Sequence, residues 1–348
     1  MHSQERGTAE EHSHPNTTHR PRFGTAGLPG IIAHRGASGY RPEHTVAAYE
    51  LAFQLGADAV EPDIVVSKDG ELVIRHDTDL SGTTDVATRP EFAHLRTTKE
   101  IDGAPLDGWF VEDFTWAQLS QLRAVERIPE VRPANVAYDG QFPLLRLRDL
   151  LHVIDQQKRE IGVVAELKRA SYFDQIGLPL DELFVAELRE AGWASGRALV
   201  VESFESTILS RVRHQAIDAD FVYLIEKDGA PADRLHTNGS RARTYDDDLT
   251  PEGLAQIAAS GLAGISIDLS RLLTRDENTL GVSSVPSDAT AKGLQTYTWT
   301  LRPEAPFLPE PATDWREVFS LSLGSGLDAV FTDTPDLAKK IRESLFGE

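Results

Sequence analysis

Short apolar segments rich in β-branched residues recur along the chain, and each of them predicts a β-strand. They cover residues 31–34, 59–66, 161–168, 197–203, 219–225, 263–268, 294–301 and 328–332. Segments of this length that stay apolar on consecutive positions are typical of strands buried on both faces. The second segment is followed, after a turn at 68–70, by a satellite strand at 71–75.

Segments with the helical spacing of apolar residues fall between these strands. They cover residues 45–55, 147–157, 180–191, 205–213, 250–259, 314–323 and 335–345, with a weaker one at 287–293. Strands and helices that alternate in this number predict an α/β fold, the (β/α)8 TIM barrel. A doubly wound sheet also alternates, but no G-x-G-x-x-G motif follows the first strand, so a dinucleotide-binding fold is disfavoured.

The chain divides into a polar leader and one folded domain. Residues 1–29 are rich in His, Thr, Gly and Pro and are predicted to be a disordered leader. Residues 30–348 form the predicted barrel domain, with a small insertion at 77–145 between the second strand and its helix. This insertion contains a predicted helical stretch at 116–125. No apolar signal-peptide core is present, so we expect a cytoplasmic protein, or an exported one if the leader has been trimmed.

The charge balance narrows the classes of partner. The 348 residues carry 35 Lys and Arg against 55 Asp and Glu, a formal charge of −20. Such an acidic chain is unsuited to binding phosphate backbones or anionic membranes. We therefore expect a small-molecule partner, no nucleic acid and no stable membrane association. The absence of cysteine excludes disulfides, thiolate zinc sites and cysteine nucleophiles.

Acidic residues interrupt the apolar strands at the end where a TIM barrel carries its chemistry. Glu61 and Asp63 are two positions apart on one strand, so their side chains share a face. Glu166 and Lys168 repeat that spacing on the third strand. Three converging carboxylates would suit Mg²⁺, Ca²⁺ or Mn²⁺ better than zinc. The alternative is a buried ion-pair network of these acids with Arg35 and Lys168.

Two histidines and two cations stand at the same strand ends. His34 ends the first strand and His76 follows the satellite strand. They could serve as a general acid and base, or as metal ligands in a zinc-like site. Arg35 and Lys168 offer positive charge to an anion such as phosphate. Trp299 would either form an apolar wall of the site or pack on the barrel rim.

The residues around these candidates resemble a known family. The segments AHRGASGYRPEHT from position 33, EPD from 61 and SKDGELVIRHD from 67 resemble the glycerophosphodiester phosphodiesterases. The segments ELK from 166, YTWT from 297 and GLDAVFTDTP from 326 fit the same pattern. Residues 109–143, with RIPEVRP from 127, resemble the insertion of the long bacterial branch of that family. The resemblance covers residues 30–346.

The resemblance implies a TIM barrel that hydrolyses glycerophosphodiesters to sn-glycerol 3-phosphate and an alcohol. It implies one divalent cation, Ca²⁺ or Mg²⁺ with Mn²⁺ as a third candidate, and it assigns roles residue by residue. The metal ligands would be Glu61, Asp63 and Glu166, the acid–base pair His34 and His76, and the substrate-binding residues Arg35, Lys168, Glu43 and Trp299. Glu43 would orient Arg35, His34 or a metal-bound water. One common form of the family has Asn where this chain has His44, and other forms carry His there.

Several alternatives stay open at the level of sequence. The attacking oxygen could be the substrate's glycerol 2-hydroxyl or water, and either histidine could be the acid. A phospholipase C- or sphingomyelinase D-type lipid phosphodiesterase uses a similar barrel, and a non-catalytic phosphodiester-binding barrel is a further alternative. The lipid enzymes would need a membrane-facing platform. The aromatic residues of the insertion, Trp109, Phe110, Phe114 and Trp116, could form one, but we favour a small core that holds the insertion together.

Overall fold

The strands of the computed structural model, which describes residues 23–101, 103–276 and 279–347, follow the predicted order. They are β1 (Gly30–His34), β2 (Ala59–Glu61), β3 (Asp63–Val66), β4 (Leu72–Ile74), β5 (Thr97–Ile101), β6 (Ala104–Gly108), β7 (Gly162–Leu167), β8 (Leu199–Ser203), β9 (Asp220–Ile225), β10 (Gly264–Asp268), β11 (Leu273–Asp276), β12 (Thr279–Val282), β13 (Gln295–Leu301) and β14 (Ala329–Thr332). All the predicted barrel strands are present.

The parallel strands close into a barrel. The sheet runs β2-β1-β14-β13-β10-β9-β8-β7-β3-β4, and β2 also pairs with β7, which joins the two ends. β2 and β3 are one strand interrupted at Pro62, so the barrel has eight parallel positions. The satellite β4 pairs antiparallel with β3. The predicted (β/α)8 barrel is therefore confirmed, and its insertion lies between β4 and the next long helix.

The helices pack around this barrel. They are α1 (Val46–Leu55), α2 (Trp116–Leu119), α3 (Leu147–Asp155), α4 (Ala170–Gln175), α5 (Leu180–Glu190), α6 (Ser206–His214), α7 (Ala232–Asn238), α8 (Tyr245–Asp248), α9 (Pro251–Ala259), α10 (Leu269–Leu272), α11 (Val285–Thr290), α12 (Trp315–Leu323) and α13 (Pro335–Phe346). In the described part of the chain, no helix combines the length and apolar character that crossing a bilayer would require.

The long predicted helices are confirmed, whereas the helical stretch predicted at 116–125 is a single turn, α2. That turn ends because the following backbone is taken by other partners. The Arg123 amide donates to the Asp85 carboxylate at 2.8 Å, and the Ala124 amide donates to the Phe142 carbonyl at 2.9 Å. The sequence analysis also missed the hairpins β5–β6 and β11–β12, since their short strands are mostly exposed and carry no apolar alternation.

The aromatic residues of the insertion form its core. Phe110 and Phe114 are fully buried and Trp109 nearly so. The Trp109 indole donates to the Phe92 carbonyl at 2.8 Å, and the rings of Phe92 and Phe114 meet edge-on with centroids 5.3 Å apart. Such aromatic contacts hold the insertion together as the sequence analysis expected, and they leave these rings no face for a membrane.

The interior of the barrel is apolar, because alternate residues of each strand point inward. Its cluster consists of Phe23, Ile32, Ala59, Val164, Ala198, Val200, Val222, Tyr297, Ala329 and Phe331. Phe23 comes from the predicted disordered leader and contacts the Tyr297 ring, with centroids 6.3 Å apart. A Cβ on Gly162 would lie 2.8 Å from the Phe23 Cβ, so only glycine allows this close approach.

This packing corrects the predicted boundary of the leader. Residues 23–29 belong to the folded domain, because burial of the Phe23 ring in the barrel fixes them. Residues 1–22, the rest of the predicted leader, lie outside the described residues.

We expect Phe23→Ala to lower the free energy of unfolding by about 3 kcal/mol, because it removes a buried ring and leaves a cavity in the barrel interior. Urea unfolding followed by circular dichroism measures this. Thr25→Ala, at an exposed neighbouring position, is the matched control. A Phe23→Ala variant as stable as the control would mean that the residues before β1 do not stabilise the barrel.

Candidate active site

The strand alternation that builds the apolar interior also delivers the polar residues of the barrel mouth. Ile32, Ala59, Val164, Val200, Tyr297 and Phe331 lie in the interior cluster. The residues two positions later are His34, Glu61, Glu166, Glu202, Trp299 and Asp333. Strand register sets these at one level, with His34 opposite Glu61 and Glu166 opposite both Asp63 and Glu202. The chemistry therefore sits one layer above the core, at the carboxyl ends of the strands.

Three buried carboxylates meet in this layer. Oxygen atoms of Glu61, Asp63 and Glu166 lie within 4.8 Å of one another. Burial, and then the charges of Asp63 and Glu166, raise the pKa of Glu61 well above its usual range. Burial likewise raises the pKa of Glu166, against the charge of Lys168. Without a cation, the cluster therefore retains protons that ordinary carboxylates release at neutral pH.

A divalent cation fits this cluster. Its donors are all carboxylate oxygens, the ligands preferred by Ca²⁺, Mg²⁺ and Mn²⁺. Asp63 Oδ1 is buried and has no hydrogen-bond partner among the described residues. Burial favours a proton on Asp63, but Lys168 and the hydrogen bond with His44 hold its pKa well below the usual range. Neither His34 nor His76 belongs to the cluster, so the zinc-like alternative with histidine ligands is disfavoured.

Arg35 and Lys168 border the carboxylates and face the same cavity. Arg35 adopts a φ of 60°, a left-handed conformation uncommon for residues other than glycine. The turn brings its amide 2.7 Å from a Glu61 oxygen, while its Nε lies 3.3 Å from Asp63. Lys168 Nζ donates to Glu166 at 2.7 Å. The predicted ion pairs thus exist together with the carboxylate cluster.

Both histidines present a free nitrogen to this cavity. His34 Nδ1 lies 2.7 Å from Asp333, and His76 Nδ1 lies 2.8 Å from Asp77. Burial, followed by the charge of Arg35, lowers the pKa of His34 to about 4. Burial and the charges of Arg35 and Lys168 lower the pKa of His76 to about 3. Both rings are therefore neutral at pH 7, and because the carboxylates engage Nδ1–H, each Nε2 can accept a proton.

Glu43 lies behind the site and does not line its cavity. Its carboxylate accepts from Arg35 at 3.0 Å and from two nitrogens of Arg127 at 2.7 Å each. Both of its oxygens accept from arginines, so the substrate-binding role that the resemblance implies for Glu43 stays a prediction. Its contact with Arg35 is one of the alternatives that the sequence analysis left open.

His44 and Tyr49 support the cluster from below. His44 Nε2 lies 2.8 Å from Asp63 Oδ2, and its Nδ1 lies 2.8 Å from the Tyr49 hydroxyl. The Tyr49 hydroxyl is also 3.2 Å from the Glu61 carbonyl. This fully buried contact orients Asp63, and an Asn amide at position 44 could make the same hydrogen bond.

The cavity above the cluster measures about 1160 Å³. Trp299 lines it and stands edge-on to Phe204, with ring centroids 5.6 Å apart. Phe204 lies under Lys168, whose Nζ is 5.6 Å from the ring centre. The indole and the phenyl ring therefore form an apolar wall beside the cations, which is one of the two alternatives that the sequence left open for Trp299.

Glu202 is a further buried acid of the mouth, to which the sequence analysis assigned no role. It is 1% exposed, and its Oε2 has no hydrogen-bond partner among the described residues. Burial and then the charge of Glu166 raise its pKa well above the usual range. A protonated carboxyl there can donate to an oxygen of a bound ligand. Its strand end was visible in the sequence, but no surrounding motif drew attention to it.

The mouth thus combines proton acceptors, cations and an oxygen-ligand cluster, which define a hydrolase site for a phosphodiester. The model of the "Glycerophosphoryl diester phosphodiesterase family" matches residues 34–337. The chain belongs to this family of hydrolases, whose reaction releases glycerol 3-phosphate from glycerophosphodiesters.

Relatives and solved structures are consistent with the family assignment. A glycerophosphodiester phosphodiesterase of Treponema pallidum is 29% identical over 335 residues, covering 89% of this chain and 90% of the relative. One of Arabidopsis thaliana is 29% identical over 324 residues, covering 88% and 83%. The fold resembles an Oleispira antarctica phosphodiesterase solved with the product sn-glycerol-3-phosphate, with a TM-score of 0.59, 24% identity and coverage of 90% and 96%.

We expect His34 to make the protein less stable in acid. Its pKa of about 4 lies below the ordinary value of 6.5, so between these pH values the unfolded chain binds a proton that the folded chain does not. Unfolding free energy should fall on acidification by about 1.4 kcal/mol per pH unit from this group. In His34→Gln this contribution to the change of unfolding free energy with pH should be absent. Urea unfolding from pH 4.5 to 7.5 in chelator-containing buffer measures it.

The exposed His214 serves as the control through His214→Gln. An unaltered slope in His34→Gln would show that His34 is already protonated in the folded protein near pH 6.

Proposed function

We propose that this chain performs its family's reaction, hydrolysis of a glycerophosphodiester to sn-glycerol 3-phosphate and an alcohol, with His34 and His76 as the acid–base pair. One observation carries the proposal: both neutral imidazoles, each held by a carboxylate at Nδ1, line the cavity that also contains Arg35 and Lys168. The product-bound Oleispira antarctica structure supports the same product class.

Binding of the phosphodiester anion falls to the two cations of the mouth. Arg35 lines the cavity, and its Nε, which lies 3.3 Å from Asp63, makes no hydrogen bond to the described residues. Lys168 lies beside it as a second positive charge. The pair offsets the negative charge that otherwise repels an attacking oxygen. The Trp299 and Phe204 wall packs against the apolar parts of the substrate.

Proton transfer falls to His34, at the end of β1, and His76, two residues after β4. The bound phosphodiester, being an anion, favours the protonated form of one imidazole. The neutral imidazole takes the proton of the attacking oxygen, that of water or of the substrate's glycerol 2-hydroxyl, and the protonated one gives its proton to the departing alcohol oxygen. Where the 2-hydroxyl attacks, water then opens the cyclic phosphate with the two histidine roles reversed. Asp333 and Asp77 hold the ring orientations and stabilise the imidazolium that forms on their partner.

Glu61, Asp63 and Glu166 would hold one divalent cation, Ca²⁺ or Mg²⁺, with Mn²⁺ as the third candidate. When bound, the cation supplies Lewis-acid stabilisation of the phosphoryl oxygens. The cation would offset the burial and the mutual repulsion that raise the pKa values of Glu61 and Glu166. The acidic balance of the chain is in keeping with a small-molecule substrate and with no partnership with nucleic acid or a membrane. The cytoplasmic location stays a prediction.

With glycerophosphocholine as substrate, we expect the wild type to release glycerol 3-phosphate and choline. His34→Ala and His76→Ala should each lower kcat by about 100-fold or more, since general acid–base catalysis contributes on this order. Phosphorus NMR and a choline assay identify the products, and circular dichroism verifies that the variants fold.

His214→Ala, on the exposed face of α6, should retain full turnover. Release of choline phosphate instead would indicate a phospholipase C-type cleavage, and binding without turnover would indicate a non-catalytic barrel. Near-full activity of either catalytic-histidine variant would refute its assignment.

Removal of the metal should abolish turnover, and Ca²⁺ or Mg²⁺ should restore it. Glu61→Gln should lose most of its affinity for the ion because one of three charged ligands becomes neutral. Isothermal titration calorimetry with CaCl₂ and MgCl₂ measures the affinity. Glu226→Gln, at a half-buried position of the same cavity wall, should bind the ion as the wild type does. A wild type that is insensitive to chelator would contradict the metal assignment.

A further inference from the structure

Two arginines of the insertion at 77–145 contact carboxylates that lie next to the histidines of the barrel mouth. Arg127 and Arg132 are five residues apart in the segment RIPEVRP. Each donates to a carboxylate that in turn contacts one of the two histidines. Neither histidine belongs to this segment, so the arrangement joins three distant parts of the chain.

The first of these contacts runs from Arg127 to His76. Arg127 Nη1 donates to Asp77 Oδ2 at 2.6 Å, and Asp77 Oδ1 lies 2.8 Å from His76 Nδ1. The same guanidinium donates through Nε and Nη2 to Glu43, which accepts from Arg35. One insertion side chain therefore fixes both the support of His76 and the support of a substrate-binding arginine.

The second contact runs from Arg132 to His34 and has the same form. Arg132 Nη2 donates to Asp333 Oδ2 at 2.5 Å, and Asp333 Oδ1 lies 2.7 Å from His34 Nδ1. Arg302 donates to the same Oδ2 at 2.8 Å. Asp333 is fully buried and 299 residues away from His34 in sequence.

Further contacts anchor the segment over the mouth. Arg132 Nη1 donates to the Ser38 carbonyl at 3.0 Å, and its Nε donates to Glu304 at 2.6 Å. Asn135 donates to the same Ser38 carbonyl at 3.2 Å. The segment is thus bound to the loops after β1 and β13, which flank His34. Arg132 is only 9% exposed, so its guanidinium belongs to the interior of the site.

The arginines also serve an electrostatic purpose. A buried carboxylate beside an imidazole either takes up a proton or draws one onto the imidazole. Burial acts in that sense on Asp333, yet Arg302, His34 and Arg132 together hold its pKa well below the usual range. An ionised but charge-compensated carboxylate can orient the Nδ1–H of His34 and leave Nε2 free for proton transfer.

We propose that the insertion is a working part of the active site, in which Arg127 and Arg132 are positioning residues that hold His76 and His34 through Asp77 and Asp333. The inference rests on the proposed acid–base function of the two histidines. It assigns to the insertion a catalytic purpose beyond covering the barrel.

Arg132→Met tests the inference on glycerophosphocholine. We expect kcat to fall about 10- to 100-fold, the usual effect of losing a side chain that orients a ligand or catalytic group, while KM changes less than about threefold. Added guanidinium ion should restore part of kcat, and Arg132→Lys should retain more activity than Arg132→Met. In an Asp333→Asn background, adding Arg132→Met should lower kcat little further, because both substitutions act through His34.

Arg123→Met is the matched control, since the side chain of this insertion arginine donates, among the described residues, to the backbone carbonyls of Ser120, Gln121 and Leu122. Its kcat should equal that of the wild type. A wild-type kcat in Arg132→Met would overturn the proposal. It would also be overturned if the kcat losses of Arg132→Met and Asp333→Asn were fully additive in the double variant and guanidinium ion restored no activity. If Arg132→Met does not fold, Arg127→Met decides by the same criteria, because its guanidinium is more exposed.

The wild-type product assay separates this inference from the proposed function. Release of glycerol 3-phosphate by the wild type together with unaltered arginine variants would refute the role of the insertion alone. A wild type that releases no glycerol 3-phosphate would refute the proposed function and, with it, the inference.

Discussion

Three carboxylates buried within 4.8 Å of one another are the constraint on which the rest of the barrel mouth depends. Burial and mutual repulsion make their simultaneous ionisation unfavourable, so they require protons or cations nearby. Lys168 pairs with Glu166, the Arg35 side chain pairs with Asp63, and the Arg35 amide donates to Glu61. A divalent cation relieves the remaining repulsion. Burial, and then the charge of Arg35, lowers the pKa of both histidines, and Lys168 adds to this effect on His76. The cations that offset the acidic cluster therefore also favour neutral imidazoles.

The apolar packing of the barrel interior stabilises the fold and so offsets the unfavourable burial of these charges. Each polar residue of the mouth follows an interior apolar residue by two positions, so a strand that buries Ile32 or Val164 must present His34 or Glu166 one layer higher. Phe23 closes the opposite end against Tyr297. The apolar packing therefore lies toward one end of the barrel, and the closely spaced like charges lie at the other. This division allows a TIM barrel to hold like charges together without losing its core.

Much of this architecture was predictable because its signals are local. Short segments that stay apolar on consecutive positions predicted the barrel strands, and the two-residue spacing of Glu61 and Asp63 predicted that they share a face. The partners that control the histidines were not predictable in that way. Asp333 lies at the other end of the chain from His34, and Arg127 is 84 residues from Glu43. Their pairing depends on barrel closure and on the path of an irregular insertion, for which no periodicity exists. The one-turn α2 illustrates the same limit, since long-range hydrogen bonds of Arg123 and Ala124 override a local helical pattern.

The charge distribution of the site explains how a chain of net charge −20 can capture an anion. Around the mouth, the carboxylates of residues 43, 61, 63, 77, 166 and 333 are matched by the cations of residues 35, 75, 127, 132, 168 and 302. The cavity wall carries further acids, namely Glu100, Glu202, Glu205, Glu226 and Asp228. The positive charge offered to a phosphodiester is therefore that of Arg35 and Lys168, close to the carboxylate cluster. Two of the matched cations, those of residues 127 and 132, belong to the insertion. Because Coulomb interactions between exposed charges decay over about 10 Å in salt, the substrate responds to this local balance rather than to the net charge. The insertion arginines thus orient the histidines and offset the charges of Asp77 and Asp333, which leaves Arg35 and Lys168 to bind the phosphodiester.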